Sequence, residues 1–251
     1  MLELGTIWRS GGGLIMPDDK RSDGEGFLAH LDEGLRGAIE RRARRMHVHK
    51  GQVVVGHGAD GGDVFCVVEG AFDVTLNSPD GHQVYIRKIS AGGMFGEYAA
   101  LDGGPRSATI VAASDAVLLV IPRSAFVEAL QASPAAGLWV ARELTTLIRE
   151  MTERLYELCA LNVRTRLHCE LVRLSRTAGV TGNSAIIDPA PTHAEFANRI
   201  GTHREAVTRE LNALSHMNVV SQSKRHIEIL DIARLSKMAQ KAEGAFELPD
   251  R

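Results

Sequence analysis

Between Lys50 and Ile121 the chain is a succession of short runs rich in β-branched residues, each closed by a turn signal. Val53-Val54-Val55, Val64-Phe65-Cys66-Val67-Val68, Val84-Tyr85-Ile86 and Val117-Leu118-Leu119-Val120-Ile121 alternate with Glu69-Gly70, Pro79-Asp80-Gly81 and Ala91-Gly92-Gly93. Regularly spaced short strands of this kind read as an all-β barrel or jelly roll.

On either side the hydrophobic period lengthens. Phe27, Leu28, Leu31, Leu35 and Ile39 have helical spacing within Phe27 to Arg45. Beyond Pro134, the residues Leu144, Ile148, Met151, Leu155 and Leu158 are spaced 4, 3, 4 and 3, a heptad seam. A seam on a long helix after a compact β domain is expected to pair with a second copy; packing on its own domain is the blander alternative. Residues 162–178 read as a further helix, Thr181-Gly182-Asn183 as a loop, then two short helices split at Gly201 and two strands around Lys224-Arg225.

The expected class is α+β. A flexible arm rich in Gly, Asp and Ser (1–26) precedes a β-roll, or jelly-roll, domain (27–133). A dimerisation helix and hinge (134–161), a winged helix-turn-helix domain (162–240) and a tail (241–251) follow, with the break near Leu161-Asn162.

Composition narrows the function. A formal net charge of −2 argues against a protein that coats polyanions, though not against a local basic patch. Cys66, Cys159 and Cys169 lack CxxC spacing and suggest neither a disulfide framework nor a metal cage, so no metal site is expected. No run approaches the roughly 18 apolar residues of a membrane helix. The N-terminus, with Glu3 and Gly11 to Gly13, lacks a signal-peptide layout, so a cytoplasmic protein with no membrane partner is expected. With no P-loop and no nucleophile motif, no catalytic residue is assigned.

The most informative segment runs from Phe95 to Thr109. A cyclic phosphate diester needs a cation and several N–H donors, because burying its charge unpaired is costly. Arg106 is the cassette's cation, turn amides supply donors, and Glu97 suits a ribose 2′-hydroxyl. Pro105 stiffens the turn and Gly96 lets the backbone approach closely. The blander alternative is a surface ion pair between a Glu and an Arg nine residues apart.

Further on, Thr192 followed by Glu195 is a capping box opening a helix with Phe196, Ala197 and Ile200 inward. Gly201 suits a tight helix–helix turn. Thr202 or His203 then begins a helix with Ala206, Val207, Leu211 and Leu214 inward and Arg204, Glu205, Thr208 and Arg209 outward. Arginine can donate bidentately to guanine, and Glu can accept from the cytosine amine. Ser223-Lys224-Arg225-His226 forms a wing whose basic tip can reach phosphate.

Phe95-Gly96-Glu97, Ala99 and Pro105-Arg106-Ser107-Ala108-Thr109 resemble the phosphate-binding cassette of cyclic-nucleotide-binding domains. The sequence departs from the usual pattern in placing Ala100 before Leu101. The upstream frame (Lys50-Gly51, Gly58, Asp63, Phe65, Glu69-Gly70) is similar too, and Arg204-Glu205-x-Val207-x-Arg209 is similar to the recognition helix of the catabolite-activator subgroup of the Crp–Fnr family. The resemblance implies an allosteric ligand, cAMP or cGMP, held by Gly96, Glu97, Tyr98, Ala99, Arg106, Ser107 and Ala108. It further implies a base contact from Thr152, four residues after Ile148, across the dimer. It implies a homodimer through Leu144, Ile148, Met151, Leu155 and Leu158, with duplex DNA met by Thr192, His193, Thr202, His203, Arg204, Glu205, Thr208, Arg209 and Lys224. The expected operator is a palindrome with G-T-G-A-like half-sites. Val180 to Ser184, read as a long loop, falls where that activator touches RNA polymerase.

Two alternatives share the scaffold. One is a haem or redox sensor, for which His47, His49 and His57 lie near one another. The other is a constitutive DNA-binding protein whose β-roll has become vestigial.

Overall fold

The computed structural model describes residues 26–77 and 83–243. The expected arm up to residue 25, the turn at Pro79-Asp80-Gly81 and tail residues 244–251 lie outside the described residues. A single 3-10 turn (Phe27–His30) leads to α1 (Glu33–Arg42), β1 (Arg44–Val48), β2 (Val53–Val55), β3 (Val64–Glu69), β4 (Ala71–Asn77) and β5 (Gln83–Ser90). Then come β6 (Met94–Phe95), α2 (Glu97–Asp102), β7 (Thr109–Ala112), β8 (Ala116–Ile121), α3 (Arg123–Ala132) and α4 (Pro134–Ala160). The C-terminal part holds α5 (Val163–Ala178), β9 (Val180–Thr181), β10 (Ser184–Ile187), α6 (His193–Ile200), α7 (Arg204–His216), β11 (Val220–Ser223), β12 (His226–Ile229) and α8 (Ile232–Glu243).

The β region forms two four-stranded sheets, β1-β8-β3-β6 and β2-β7-β4-β5, whose pairings are antiparallel. They share one core, in which Val48, Phe65, Val67, Leu118 and Val120 of the first sheet meet Phe72, Val74, Ile89 and Ile110 of the second. The other face of the first sheet packs on helices: Val64 and Ile121 join Phe27, Ile39, Phe126, Trp139 and Val140. Both faces of β3 and β8 are therefore covered. This is why their sequences read as unbroken apolar runs rather than as alternating ones. Each fully buried side chain of this size contributes about 1.5–3 kcal/mol.

Several expectations are corrected here. The stretch Phe27 to Arg45 is not one helix. The Asp32 carboxylate accepts from the Leu35 amide at 2.8 Å and starts α1 afresh, and Arg44-Arg45 pair in β1 with Val120 and Leu119. Helical structure resumes at Arg123, ahead of Pro134, because Ala125, Phe126 and Ala129 bury a helical face against the first sheet. Val180 to Ser184 is a hairpin rather than a long loop: Thr181 pairs with Ser184, and β10 continues into a sheet of order β11-β12-β10-β9. α8, unforeseen, closes this unit with fully buried Leu235.

α4 is 27 residues long, about 40 Å at 1.5 Å per residue. Its first half is buried through Ala136, Trp139 and Val140, whereas Ile148, Leu155 and Leu158 further along remain 66%, 62% and 48% exposed. It ends at Leu161, and the Asn162 side chain caps α5 by accepting from the Thr165 amide. Around α5, α6 and α7 lies a separate core that includes Leu171, Phe196, Ile200, Val207, Leu211 and Ile229.

Candidate functional site

The segment Phe95 to Thr109 folds as one wall of a cavity of about 280 Å³. Gly96 starts it in the left-handed region, with φ 89°. A Cβ there would come within 2.6 Å of both Arg106 Nη1 and the Asp63 carbonyl oxygen, so only glycine fits. Arg106 is buried and donates from Nη1 to the Gly96 carbonyl at 3.1 Å and from Nη2 to the Asp63 carbonyl at 2.9 Å. Its own amide donates to the Ala59 carbonyl, and its carbonyl accepts from the Gly58 amide. Arg123 of α3 donates to the Ala100 carbonyl and steadies α2 from behind.

Glu97 is 6% exposed, which excludes the surface ion pair weighed above. Burial pushes its carboxyl above the usual range, against a backbone hydrogen bond and the nearby Arg87, which favour the charged form. Burial likewise lowers Arg106, countered by Asp63 and Glu97. Arg87 stands 3.9 Å from Glu97 and lines the cavity. Arg106 is thus the cation of the cassette but not of the whole cavity.

Gly96, Glu97, Tyr98, Ala99, Arg106, Ser107 and Ala108 all line this cavity, together with apolar residues such as Val74, Leu76 and Ile89. Leu147 and Met151 of α4 complete it. The seam residues accordingly part company. Leu144 packs on the N-terminal core, Met151 faces the cavity, Leu158 approaches Gly201, and Ile148 and Leu155 stay exposed. Thr152 lies apart from the lining, exposed, its hydroxyl donating to the Ile148 carbonyl at 2.9 Å.

Arg87 and Leu147 are lining residues that sequence spacing did not flag, and it marked Met151 for the dimer seam rather than for the cavity. Tyr85 pairs with Thr75 but Arg87 pairs with Val74, so Ile86 is an extra residue in β5. Such a bulge breaks the period of two on which a sequence reading of β5 depends.

The second candidate surface is the helix pair α6–α7. Thr192 and Glu195 make the full reciprocal capping box, and Gly201 ends α6 with φ 62°. His193 Nδ1 and Thr208 Oγ1 are hydrogen-bonded at 2.8 Å, and Thr208 donates to the Arg204 carbonyl, so these two residues brace the helices together. Thr202 is half-buried, and its amide donates to the Ala197 carbonyl. His203, the N-cap of α7, is exposed, as are Arg204, Glu205 and Arg209. Behind them, buried Glu210 accepts from Arg164 Nε at 2.9 Å and is hydrogen-bonded to His168 Nε2 at 2.8 Å. Lys224 is exposed at the tip of the β11–β12 turn. Arg225 instead folds back, donating to the Ala190 carbonyl, and His226 turns to Asp188.

The two units also touch. The Arg199 guanidinium of α6 lies 4.3 Å from the centroid of the Tyr85 ring in β5 and donates to Glu170 at 3.0 Å. Glu170 pairs with Arg173, which also reaches Glu157 of α4. His47 and His49 are exposed, and no cluster of three potential metal ligands stands among the described residues. Nor, among those residues, is any helix long and apolar enough to cross a membrane.

A β-roll with a buried acid–base pair in its cavity, joined by a long helix to a winged helix-turn-helix, defines a ligand-binding transcription regulator. Residues 45–133 match the cyclic nucleotide-binding domain family and residues 165–238 the Crp-like helix-turn-helix domain family. The chain belongs to the Crp–Fnr family of transcription regulators. It is 21% identical to the CRP-like cAMP-activated global transcriptional regulator of Mycobacterium tuberculosis, over 86% of this chain and 96% of that one. It is 28% identical to the cyclic AMP receptor protein of Thermus thermophilus, over 80% and 90% of the two chains. A crp/fnr-family regulator from Eubacterium rectale superposes with a TM-score of 0.70 at 20% identity, covering 87% of this chain and all of that one.

Proposed function

We propose that this protein is a homodimeric, cyclic-nucleotide-gated regulator that binds a palindromic operator when cAMP or cGMP occupies the cavity. The buried pair Glu97 and Arg106, turned onto a cavity closed by Leu147 and Met151, carries the reading. A buried cation held by two backbone carbonyls suits an anionic phosphate, and a carboxylate beside it suits the ribose hydroxyl. Two relatives are named for cAMP, in keeping with a cyclic nucleotide. Because α4 contributes to the cavity, a ligand there can bias how the two long helices meet, and through α5 how the recognition helices lie. Ile148, Leu155 and Leu158 supply the dimer seam, and Thr152 a contact to the partner's ligand. Arg204, Glu205 and Arg209 read base edges, with half-sites about 34–36 Å apart. The β9–β10 hairpin is the proposed RNA polymerase contact, and the cytoplasm the proposed location.

Fluorescence anisotropy on an operator selected from random duplexes tests the gating. Affinity should rise at least tenfold on adding cAMP or cGMP; equal affinity with and without nucleotide would favour a vestigial β-roll. For the dimer, glutamates at Ile148 and Leu155 should give monomers in sedimentation. This pair spares Met151, which lines the cavity.

A further inference from the structure

We propose that Tyr85 and Arg199 form an inhibitory latch, which holds the helix-turn-helix unit on its own β-roll until a ligand in the cavity releases it. The contact itself is geometry; its inhibitory role rests on the gated function proposed above.

The helix-turn-helix unit is fastened at two places. One is the end of α4. Arg166 of α5 donates from Nη1 to the Leu158 carbonyl and from Nη2 to the Gly201 carbonyl of the α6–α7 turn, each at 3.1 Å. Arg173 of α5 adds an ion pair to Glu157. These bonds tie the tip of α4 to the helix-turn-helix. The other place is β5, an edge strand of the second sheet, against which α6 packs. There the Arg199 guanidinium lies over the Tyr85 ring, backed by its pairing with Glu170. Burial pushes the Tyr85 phenol up to about 12. Next to Tyr85 stands Asp73 of β4, whose carboxyl burial raises while Lys88 and Arg199 favour its charged form. A cation over a ring attracts more strongly when the pair is shielded from water than on an open surface.

Neither Tyr85 nor Asp73 lines the cavity, so the contact needs no ligand to form. In a regulator that binds DNA when liganded, a fastening that needs no ligand favours the unliganded arrangement. The ligand nevertheless has a hold on it. With Ile86 as the extra residue of β5, Tyr85 turns outward to Arg199, while Ile86 and Arg87 both line the cavity. Three consecutive residues thus carry the latch on one side and the cavity wall on the other, and a ligand that shifts Ile86 or Arg87 shifts the backbone holding Tyr85. This route runs within one protomer and is separate from any repacking of the two long helices.

Anisotropy titrations of the full-length protein on its selected operator, with and without cAMP or cGMP, test the latch in Tyr85→Leu, Tyr85→Phe and Asp73→Lys. Tyr85→Leu leaves Arg199 paired with Glu170 and should raise the nucleotide-free affinity roughly threefold or more, with less change in the liganded protein. Tyr85→Phe keeps the ring and should behave as wild type. Asp73→Lys sets a like charge beside Arg199 and should act as Tyr85→Leu does, so it decides the matter if Tyr85→Leu does not fold. Nucleotide-free affinity that stays at the wild-type value or falls in these two variants overturns the latch and leaves nucleotide gating intact. Tyr85→Phe behaving like Tyr85→Leu overturns the role of the ring. A wild type that binds operator equally with and without nucleotide overturns the gated reading, and release by ligand with it. Hydrogen exchange on the monomer made by glutamates at Ile148 and Leu155 tests the route: nucleotide should speed exchange in β5 and α6. A monomer that shows no such change overturns a route within one protomer.

Discussion

The cavity and the recognition helix both present charged side chains to a partner, and they hold them in opposite ways. In the cavity, Glu97 and Arg106 are buried, and Arg106 is already tied to Gly96 and Asp63. On α7, Arg204, Glu205 and Arg209 are exposed, and the order lies behind them, in Val207, Leu211, Leu214 and the Glu210–His168 hydrogen bond. Groups fixed in a low-dielectric wall need little reorganisation when the ligand arrives, and their hydrogen bonds are stronger there than in water. The same burial makes the site part of the fold. At the cavity, recognition and stability should therefore fail together; on α7 they should come apart.

The largest expected effect lies where the two regions meet. Glu170 is 1% exposed and pairs with Arg173 and Arg199. Burial pushes its carboxyl up, but Arg173, Arg154 and Arg199 outweigh this and leave it below the usual carboxylate range. Removing one partner of such a buried pair costs about 3–5 kcal/mol, so Glu170→Gln should lower Tm by many degrees. Because the folded value is depressed, the stabilisation is complete above the ordinary carboxylate range and is lost as pH falls through the folded value. The Tm gap between wild type and Glu170→Gln should therefore narrow as the pH is lowered from about 6 towards about 3. A gap that stays constant with pH would mean that the charge of Glu170 contributes nothing.

Next comes Arg106→Ala. Loss of charged hydrogen bonds worth about 1.5–3 kcal/mol should weaken cyclic-nucleotide binding tenfold or more in calorimetry. The Gly96 and Asp63 carbonyls lose a donor as well, so Tm should fall in the same variant. Full nucleotide affinity in a folded Arg106→Ala protein would exclude this site. Glu97→Gln should weaken binding less, because an amide oxygen still accepts from a ribose hydroxyl.

The cassette and the helix-turn-helix were legible in the sequence because each rests on local chemistry. Gly96 and Gly201 both take positive φ, and Thr192 with Glu195 closes its box within four consecutive residues. What stayed hidden depends on distance or on phase. Arg87 enters the cavity through a bulge that only pairing with β4 reveals, and Leu147 and Met151 do so because α4 crosses the β-roll. The contact of Tyr85 with Arg199 joins residues from two separate units, and no period in either segment signals it. α3 and α8 were missed for a different reason, since their apolar faces are short and become conspicuous only against the sheet or core that covers them.

The smallest effects should come from the exposed side, and they separate two kinds of contact. Arg209 is exposed on α7, so Arg209→Ala should leave Tm nearly unchanged, within about 0.5 kcal/mol of wild-type stability. Operator affinity should nevertheless drop by about 1–3 kcal/mol, with preference relaxed at one base pair of each half-site. Lys224 sits at the tip of the wing while Arg225 and His226 are turned back onto the domain, so it is the member of that turn placed to meet phosphate. Lys224→Ala should weaken operator and scrambled duplex alike and reduce the slope of log affinity against log salt by about one per half-site. Anisotropy titrations across a salt series, on both duplexes and both variants, measure all of this. Should Arg209→Ala also lower Tm by several degrees, reading and folding are not separable on α7, and the contrast with the cavity disappears. Should Lys224→Ala change the preferred sequence instead of the salt slope, the wing reads bases and the division between the two residues is wrong.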